Sequence, residues 1–472
     1  MTNFKIFLKN HKAECIIFLL ALVLRIVLFS INFTHNNFDI VPTIRGDDGY
    51  YEISKSLVDG NGFGSINTQG VFAPNPLRPP VWPFLIAGIL LLFKSYWAVA
   101  FFEIIMGSFI PIIGMKIVRF IFGDRRVITA TGVLMAIEPY AIFLSFIFYT
   151  ETSFTFFFLI SIIFLLKYFK DATMRNIVWF SVFFGLATLI KPTIQYLPVV
   201  VVALLIFHSR RNLSKKVFVH TGIFIILFCL IISSWLYRNK SEFGVWGMSA
   251  QPAFNLYVYL VPTVLAIENK TDFKTEWLAF VRKDGFDEST INLSNSKEIT
   301  RLALAVLKKH PKELLISLFT TVVTFFTHDG LLNIFGYAGV PLVNTFQKPA
   351  LGMIIADPAG FISFIRSSFG SPIILIVFAR IAWFIIAILA FIGVFRSLCR
   401  RGWLKTEILF SIAVVGYFAA TTAINGFGVN ARFKIPVEVF IFAFAVYGLL
   451  GLSSSILSKL KKNEAFNNNS ML

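Results

Sequence analysis

Two adjacent carboxylates, Asp47 and Asp48, stand between Gly46 and Gly49 in the stretch Arg45-Gly46-Asp47-Asp48-Gly49-Tyr50-Tyr51-Glu52, shortly after the first long apolar run. Such acids have an ordinary reading: a solvated loop whose carboxylates complement the N-terminus of the helix that follows. They also have a chemical reading. A carboxylate held at a membrane surface can take the proton of an attacking hydroxyl, worth about 10²–10⁴-fold in rate. Tyr51 is a further candidate in the same stretch. Glu151 opens a later apolar run, where it complements the helix dipole or joins the first pair. Glu138 lies inside another run, just before Pro139. Burying it costs about 2.5 kcal/mol or more, so it is either functional or the partner of a base such as Lys191.

Cations recur at the corresponding ends of apolar runs: Arg78 in Leu-Arg-Pro-Pro, Lys191 in Ile-Lys-Pro, Arg238 in Trp-Leu-Tyr-Arg-Asn, and Arg432 with Lys434 in Ala-Arg-Phe-Lys-Ile-Pro. One alone is explained by snorkelling. Four sites on one face suggest an anion, and Arg and Lys clamp phosphate through charge-assisted hydrogen bonds. Acids and cations together at a lipid boundary suit one reaction. A lipid phosphate carries a sugar, the base activates an acceptor hydroxyl, and the cations stabilise the departing phosphate.

The elements that must bring these residues together are membrane helices. The 472 residues are 57% hydrophobic and 14% charged, with 56 Phe, whereas a soluble domain carries about 25% charged residues. Runs such as Ile16–Ile31 and Val217–Ile232 approach or reach the length that crosses a bilayer, about 17–25 residues. The net charge of +18 collects in short segments between apolar runs, which marks cytoplasmic loops and argues against a nucleic-acid surface. Placing the N-terminus, Lys116–Arg126, Lys167–Arg175, Arg210–Lys216, Arg396–Lys405 and Lys459–Lys462 inside gives spans near 15–33, 96–118, 127–144, 151–167, 177–190, 194–208, 217–236, 372–395, 407–424 and 435–453. Val81–Phe93 is too short to cross and is expected in the interface plane or re-entrant. Leu314–Phe326 either does not cross or pairs with a second crossing near 347–366, so ten to twelve spans are expected.

The fold class is thus an all-α polytopic membrane bundle with in-plane helices in its first outer loop. Residues 1–236 form a catalytic membrane module with outer loop 34–94. Residues 237–370 hold outer loops and undecided segments, 371–462 the last spans, and 463–472 a disordered tail. Arg25 interrupts the first run and no cleavage site follows, so that run reads as an uncleaved span. Both termini are expected in the cytoplasm and the chemistry outside a plasma or inner membrane. Cys15, Cys229 and Cys399 are isolated and suggest neither disulfides nor zinc.

Ordered motifs across most of the chain carry a family resemblance. They are Gly46-Asp47-Asp48-Gly-Tyr-Tyr-Glu-Ile-Ser with Gly60-Asn-Gly-Phe-Gly, Arg78-Pro-Pro-Val-Trp-Pro, Tyr-Thr-Glu151-Thr, Gly185-Leu-Ala-Thr-Leu-Ile-Lys191-Pro, Trp235-Leu-Tyr-Arg238-Asn and Ala431-Arg432-Phe-Lys-Ile-Pro436. In these the chain resembles the membrane-embedded GT-C glycosyltransferases, nearest to protein mannosyltransferases and lipid A aminoarabinose transferases. The resemblance implies a polyprenyl-phosphate sugar donor and inversion at the anomeric carbon. It implies Asp47 or Asp48 as base, with a slight preference for Asp47, Glu151 as second acid, and Arg78 on the donor phosphate. Lys191, Arg238 and Arg432 match basic positions of less defined role.

There are departures from the family pattern. Without a Trp-Trp-Asp motif, oligosaccharyltransferase activity is not expected. Without a large soluble C-terminal domain or the His-containing Pro-Pro motif, a surface glycan or lipid is as good an acceptor as a protein. No cofactor is expected: no cluster suited to a divalent cation, which some of these enzymes need, stands out. The alternatives are a transporter or lipid flippase, suggested by Arg25, Glu138 and Lys191 inside spans, and a non-catalytic scaffold.

Overall fold

A computed structural model describes residues 11–66, 70–210, 214–283, 288–341, 358–401, 405–428 and 431–469. Helix dominates them, the outcome required when long apolar runs must satisfy their own backbone N–H and C=O groups away from water. The chain runs α1 (Lys12–His35), α2 (Ile40–Ile44), α3 (Tyr50–Val58), a hairpin of β1 (Gly64–Ile66) and β2 (Phe72–Pro74), α4 (Val81–Phe93), α5 (Tyr96–Ile121), α6 (Arg125–Ile137), α7 (Pro139–Leu144), α8 (Glu151–Lys170), α9 (Met174–Ile190), α10 (Leu197–His208) and α11 (Lys215–Phe243). A set of short helices follows: α12 (Gln251–Phe254), α13 (Val261–Asn269), α14 (Phe273–Phe280) and α15 (Ser296–Leu307). The chain then continues through α16 (Pro311–Thr327), α17 (Leu331–Tyr337), α18 (Pro358–Ser368), α19 (Ile373–Arg401), α20 (Thr406–Thr422) and α21 (Glu438–Asn469).

Among the described residues, seven helical segments are long and apolar enough to cross a bilayer: Lys12–His35, Tyr96–Ile121, Glu151–Lys170, Lys215–Phe243, Ile373–Cys399, Thr406–Phe427 and Ala431–Ser453. The pair α16 and α17, bent by 68°, passes the same test together. The expected spans 127–144, 177–190 and 194–208 are short or broken, for local reasons. At Glu138 the backbone turns extended (φ −63°, ψ 114°) and ends α6; its carboxylate then accepts from the Ala141 N–H to cap α7, with Pro139 at the first position. Pro192 follows the C-cap of α9, Lys191, and starts a separate short turn. Helix α4 has 13 residues, about 20 Å at 1.5 Å per residue against a hydrocarbon core of about 30 Å.

Two expectations meet a different outcome or none. α21 continues to Asn469 where the sequence suggests a disordered tail, because extending a formed helix costs far less than starting one. The second crossing near 347–366 falls mostly on residues 342–357, outside those described, and α18 covers its end.

Phenylalanine builds the interior. Phe154 and Phe158 of α8 meet Phe418 of α20, Phe158 meets Phe184 of α9, and Phe184 meets Phe224 and Phe228 of α11, with ring centroids 5.6–6.4 Å apart. Edge and offset contacts of this kind add about 0.5–1.5 kcal/mol each beyond area burial. They fix the ends of α8, α9 and α20 against one another. A separate small core, with Tyr257, Val261, Val264, Ile299, Ala303 and Leu307, holds the segment from α12 to α15 together.

Candidate active site

The turn from α2 to α3 carries the two acids. Gly46 (φ 64°) and Gly49 (φ 78°) both take left-handed backbone, which L side chains adopt only at a cost. Gly46 is also pressed by its neighbours: a Cβ there would lie 3.0 Å from Ile147 Cγ2 and 3.1 Å from Tyr149 Cε1. The glycine lets the segment 145–150 approach. That segment is buried along its whole length, and the Phe148 N–H donates to the Ile44 carbonyl at 2.7 Å. Loop and segment are therefore locked, and α8 starts from them with Glu151.

Distant stretches converge here. Arg78 donates through Nε to the Asp48 carbonyl at 2.7 Å and through Nη2 to Asp48 Oδ1 at 3.1 Å. Arg432 donates to Asp48 Oδ2 at 2.9 Å and lies 3.9 Å from Glu151 Oε1. Lys191 Nζ donates to Glu151 Oε1 at 2.7 Å. Burial by itself raises the Asp48 carboxyl, but Arg432, Arg78 and Lys191 outweigh it and hold the group below the usual carboxylate range. Asp47 differs: its partner is the Tyr149 hydroxyl, which donates to Oδ1 and sits 3.2 Å from the Tyr337 hydroxyl. Burial first, then the bond to Asp47, raises the Tyr149 phenol, so it stays protonated as a donor. Three cations thus hold two carboxylates, with Asp47 beside them and outside those ion pairs.

Other candidates lie elsewhere. Arg238 does not enter the cluster. It donates to the Asn75 and Phe63 carbonyls, both at 3.1 Å, and stacks near Phe63, Trp235 and Phe243. Asn75 in turn accepts from the Arg78 N–H at 2.8 Å, so Arg238 supports Arg78 from behind. Tyr51 turns toward Tyr96, Phe148 and Arg45. It is the buried Tyr50 whose ring lies under the Arg78 guanidinium, at 5.5 Å. Glu138 does not pair with Lys191, which Glu151 takes; its cationic neighbours are Arg25 and Lys434. Tyr149, Tyr337, Tyr50 and Gln251, the last 3.3 Å from Arg78 Nη1, escaped the sequence reading.

Beside Asp47 lies a cleft of about 460 Å³ lined by Arg45, Gly46, Asp47, Gly49, Glu52, Ile53, Ser65 and Asn75. Each Asp48 oxygen already accepts from a guanidinium. Among the described residues one group of potential ligands stands close together, Glu268, His310 and Glu313, within 4.8 Å of one another. It lies on α13 and α16, and the ion pairs of the acid pair do not include it.

Residues 77–237 match the family model described as dolichyl-phosphate-mannose-protein mannosyltransferase. The match takes in Arg78, Glu151 and Lys191. The match covers 161 of the 472 residues, about a third of the chain. No curated protein sequence matches the chain significantly. Among solved structures, it is similar to the crystal structure of the Archaeoglobus fulgidus oligosaccharyltransferase with Zn and sulfate, at 13% identity and TM-score 0.46, covering 94% of this chain and 50% of that one. It is also similar to ArnT from Cupriavidus metallidurans bound to undecaprenyl phosphate, at 15% identity and TM-score 0.40, covering 94% of this chain and 80% of that one. The chain therefore spans about half the length of the oligosaccharyltransferase.

Proposed function

We propose that the chain is a membrane glycosyltransferase that moves a sugar from a polyprenyl-phosphate donor to a hydroxyl acceptor on a surface glycan, lipid or protein, with inversion, at the extracytoplasmic face of the membrane. One observation carries the reading: a carboxylate outside the ion pairs, Asp47, adjoins a cluster in which three cations share two carboxylates. Asp47 takes the acceptor proton. The acceptor oxygen attacks the anomeric carbon opposite the phosphate, the carbon–oxygen bond to phosphate breaks, and the polyprenyl phosphate leaves with the electron pair. A single displacement of this kind inverts the centre. Arg78, Arg432 and Lys191 face the charge that grows on the leaving phosphate. Asp48 serves as the organiser that aims two guanidiniums, because a carboxylate so strongly held in its charged form is a poor base. Glu151 Oε2 is buried with no hydrogen-bond partner among the described residues and positions the acceptor or the base.

The charge along α8 supports this sidedness. Glu151 is its first residue, while Lys167 and Lys170 occupy its last turn, about 25–30 Å away along the helix. The basic end belongs in the cytoplasm, which leaves the acid cluster outside.

The test is Asp47→Asn in full-length protein reconstituted in nanodiscs, assayed for sugar transfer from a set of polyprenyl-phosphate donors. Transfer should fall at least ~10²-fold while polyprenyl-phosphate binding persists. A variant that still transfers at the wild-type rate removes Asp47 as the base.

A further inference from the structure

The transfer reaction leaves open what fills the cleft on the far side of Asp47. We propose that it is an acceptor subsite for carbohydrate, taking one or two sugar rings whose hydroxyl pairs are held by Arg45, Glu52, Ser65 and Asn75. The inference rests on the transferase reading and adds the class of acceptor.

Volume and lining point the same way. About 460 Å³ is within the ~300–1,000 Å³ of small-ligand sites. Such sites are usually mostly apolar; here Ile53 is the one large apolar residue among the lining residues. A lipid tail or an aromatic side chain gains little in such a cleft. A polyol replaces water hydrogen bond for hydrogen bond.

The polar groups are also oriented in advance. Arg45 donates from Nε to Glu52 Oε1 at 2.7 Å, and its Nη2 donates to the same oxygen. The pair places a guanidinium next to a carboxylate in the cleft lining, a combination that gives to one hydroxyl of a diol and accepts from the next. Asn75 Oδ1 is occupied by the Leu77 and Arg78 N–H groups at 2.9 and 2.8 Å, so its amide NH₂ is fixed as a donor. Ser65 stands on β1 opposite Ala73, its side chain on the other sheet face from Gly64 and Ile66. Asn75 thereby lines the acceptor cleft and braces Arg78 of the ion cluster, with Asp47 at the boundary.

Ser65→Trp, which fills the cleft, and Glu52→Gln, which removes one acceptor, provide the test in nanodisc-embedded full-length protein. The probes are maltose, lactose and N,N′-diacetylchitobiose, set against a serine-containing peptide. Ligand-observed saturation-transfer NMR measures binding without donor; a polyprenyl-phosphate sugar measures transfer. At least one disaccharide should bind, accept the sugar, and lose at least tenfold in affinity or KM in Ser65→Trp and severalfold in Glu52→Gln. Polyprenyl-phosphate affinity serves as the control for folding. Disaccharide binding insensitive to both variants, or a peptide accepted where every disaccharide is refused, overturns the proposal. If disaccharides bind in the cleft and no donor is ever turned over, the subsite stands and the transferase reading fails.

Discussion

Asp47 and Asp48 are neighbours in sequence with opposite surroundings, and that contrast gives the site its division of labour. Asp48 is gripped by two guanidiniums; Asp47 meets a phenol. Because the folded Asp48 carboxyl lies below its unfolded value, its contribution to stability is complete above about pH 4 and is lost as pH falls through the lower folded value. Asp48→Asn should therefore unfold at a lower temperature than wild type, by an amount equivalent to about 3–5 kcal/mol. That gap should hold from neutral pH down to the ordinary carboxylate range and close only below it, as read from thermal melts in nanodiscs. A gap already closing at pH 6 would contradict the double ion pair. Glu103 makes the reverse case. It is fully buried in α5, and neither oxygen has a hydrogen-bond partner among the described residues. Glu103→Met should raise the melting temperature by the equivalent of ~1–3 kcal/mol; lost transfer in a stabilised variant would mark the acid as functional. Most of the ionic site was legible, because Asp48, Glu151, Arg78, Lys191 and Arg432 break apolar patterns at helix ends. Tyr149 and Tyr337 were not, since in a chain with 56 Phe and 13 Tyr one more aromatic gives no contrast. Glu103 did give contrast, as a lone acid within an apolar run, and went unread.

At the scale of elements, the helix break at Glu138–Pro139 matters more than either helix it separates. It frees residues 145–150 to run buried under the acid loop and deliver Tyr149 to Asp47. A sequence reading sees one span from 127 to 144, because apolar content continues through the break and only the proline hints at it. By contrast Val81–Phe93 was legible to the residue, bounded by Pro79-Pro80 before and by Lys94 in left-handed backbone after. The loop and the buried segment depend on Gly46. Gly46→Ala adds about 1–2 kcal/mol of left-handed strain and a methyl 3.0–3.1 Å from Ile147 and Tyr149. Ile147 and Tyr149 must then give by a few tenths of an ångström, which disturbs the contact of Tyr149 with Asp47. A displacement near 1 Å can cost about 10²-fold, so this smaller shift should lower kcat severalfold, with donor affinity largely kept because the added methyl meets Ile147 and Tyr149 rather than Arg78 or Lys191. A kcat within twofold of wild type would show that Tyr149 does not orient the base.

Across the whole molecule, the stretch Ala431–Val437 ties the site to the bundle by alternation. Arg432 points into the acid cluster. Lys434, two residues on, is fully buried, donates to the His328 carbonyl and lies 3.5 Å from the centre of the Trp383 ring. Around it stand Glu438, Glu138 and Asp329, the last paired with Arg380 at 3.0 Å. Glu138 at the N-cap of α7, residues of α19 and α21, and the bend between α16 and α17 thus share one ionic knot inside the bundle. The sequence showed the acids and bases singly; their meeting depends on crossings between helices far apart in the chain, which hydropathy does not encode. Lys434→Met removes one cation from buried carboxylates, a change that costs about 3–5 kcal/mol when a buried pair loses a partner. It should lower both the melting temperature and transfer, since Arg432 loses its anchor. Adding Glu438→Gln removes the stranded charge, and the double variant should recover about 0.5–3 kcal/mol relative to the sum of the single effects. Transfer should follow that recovery if Arg432 depends on the knot for its position. Stability restored without any return of transfer would instead place Lys434 in the chemistry itself, and strictly additive losses would show that Lys434 and Glu438 do not interact.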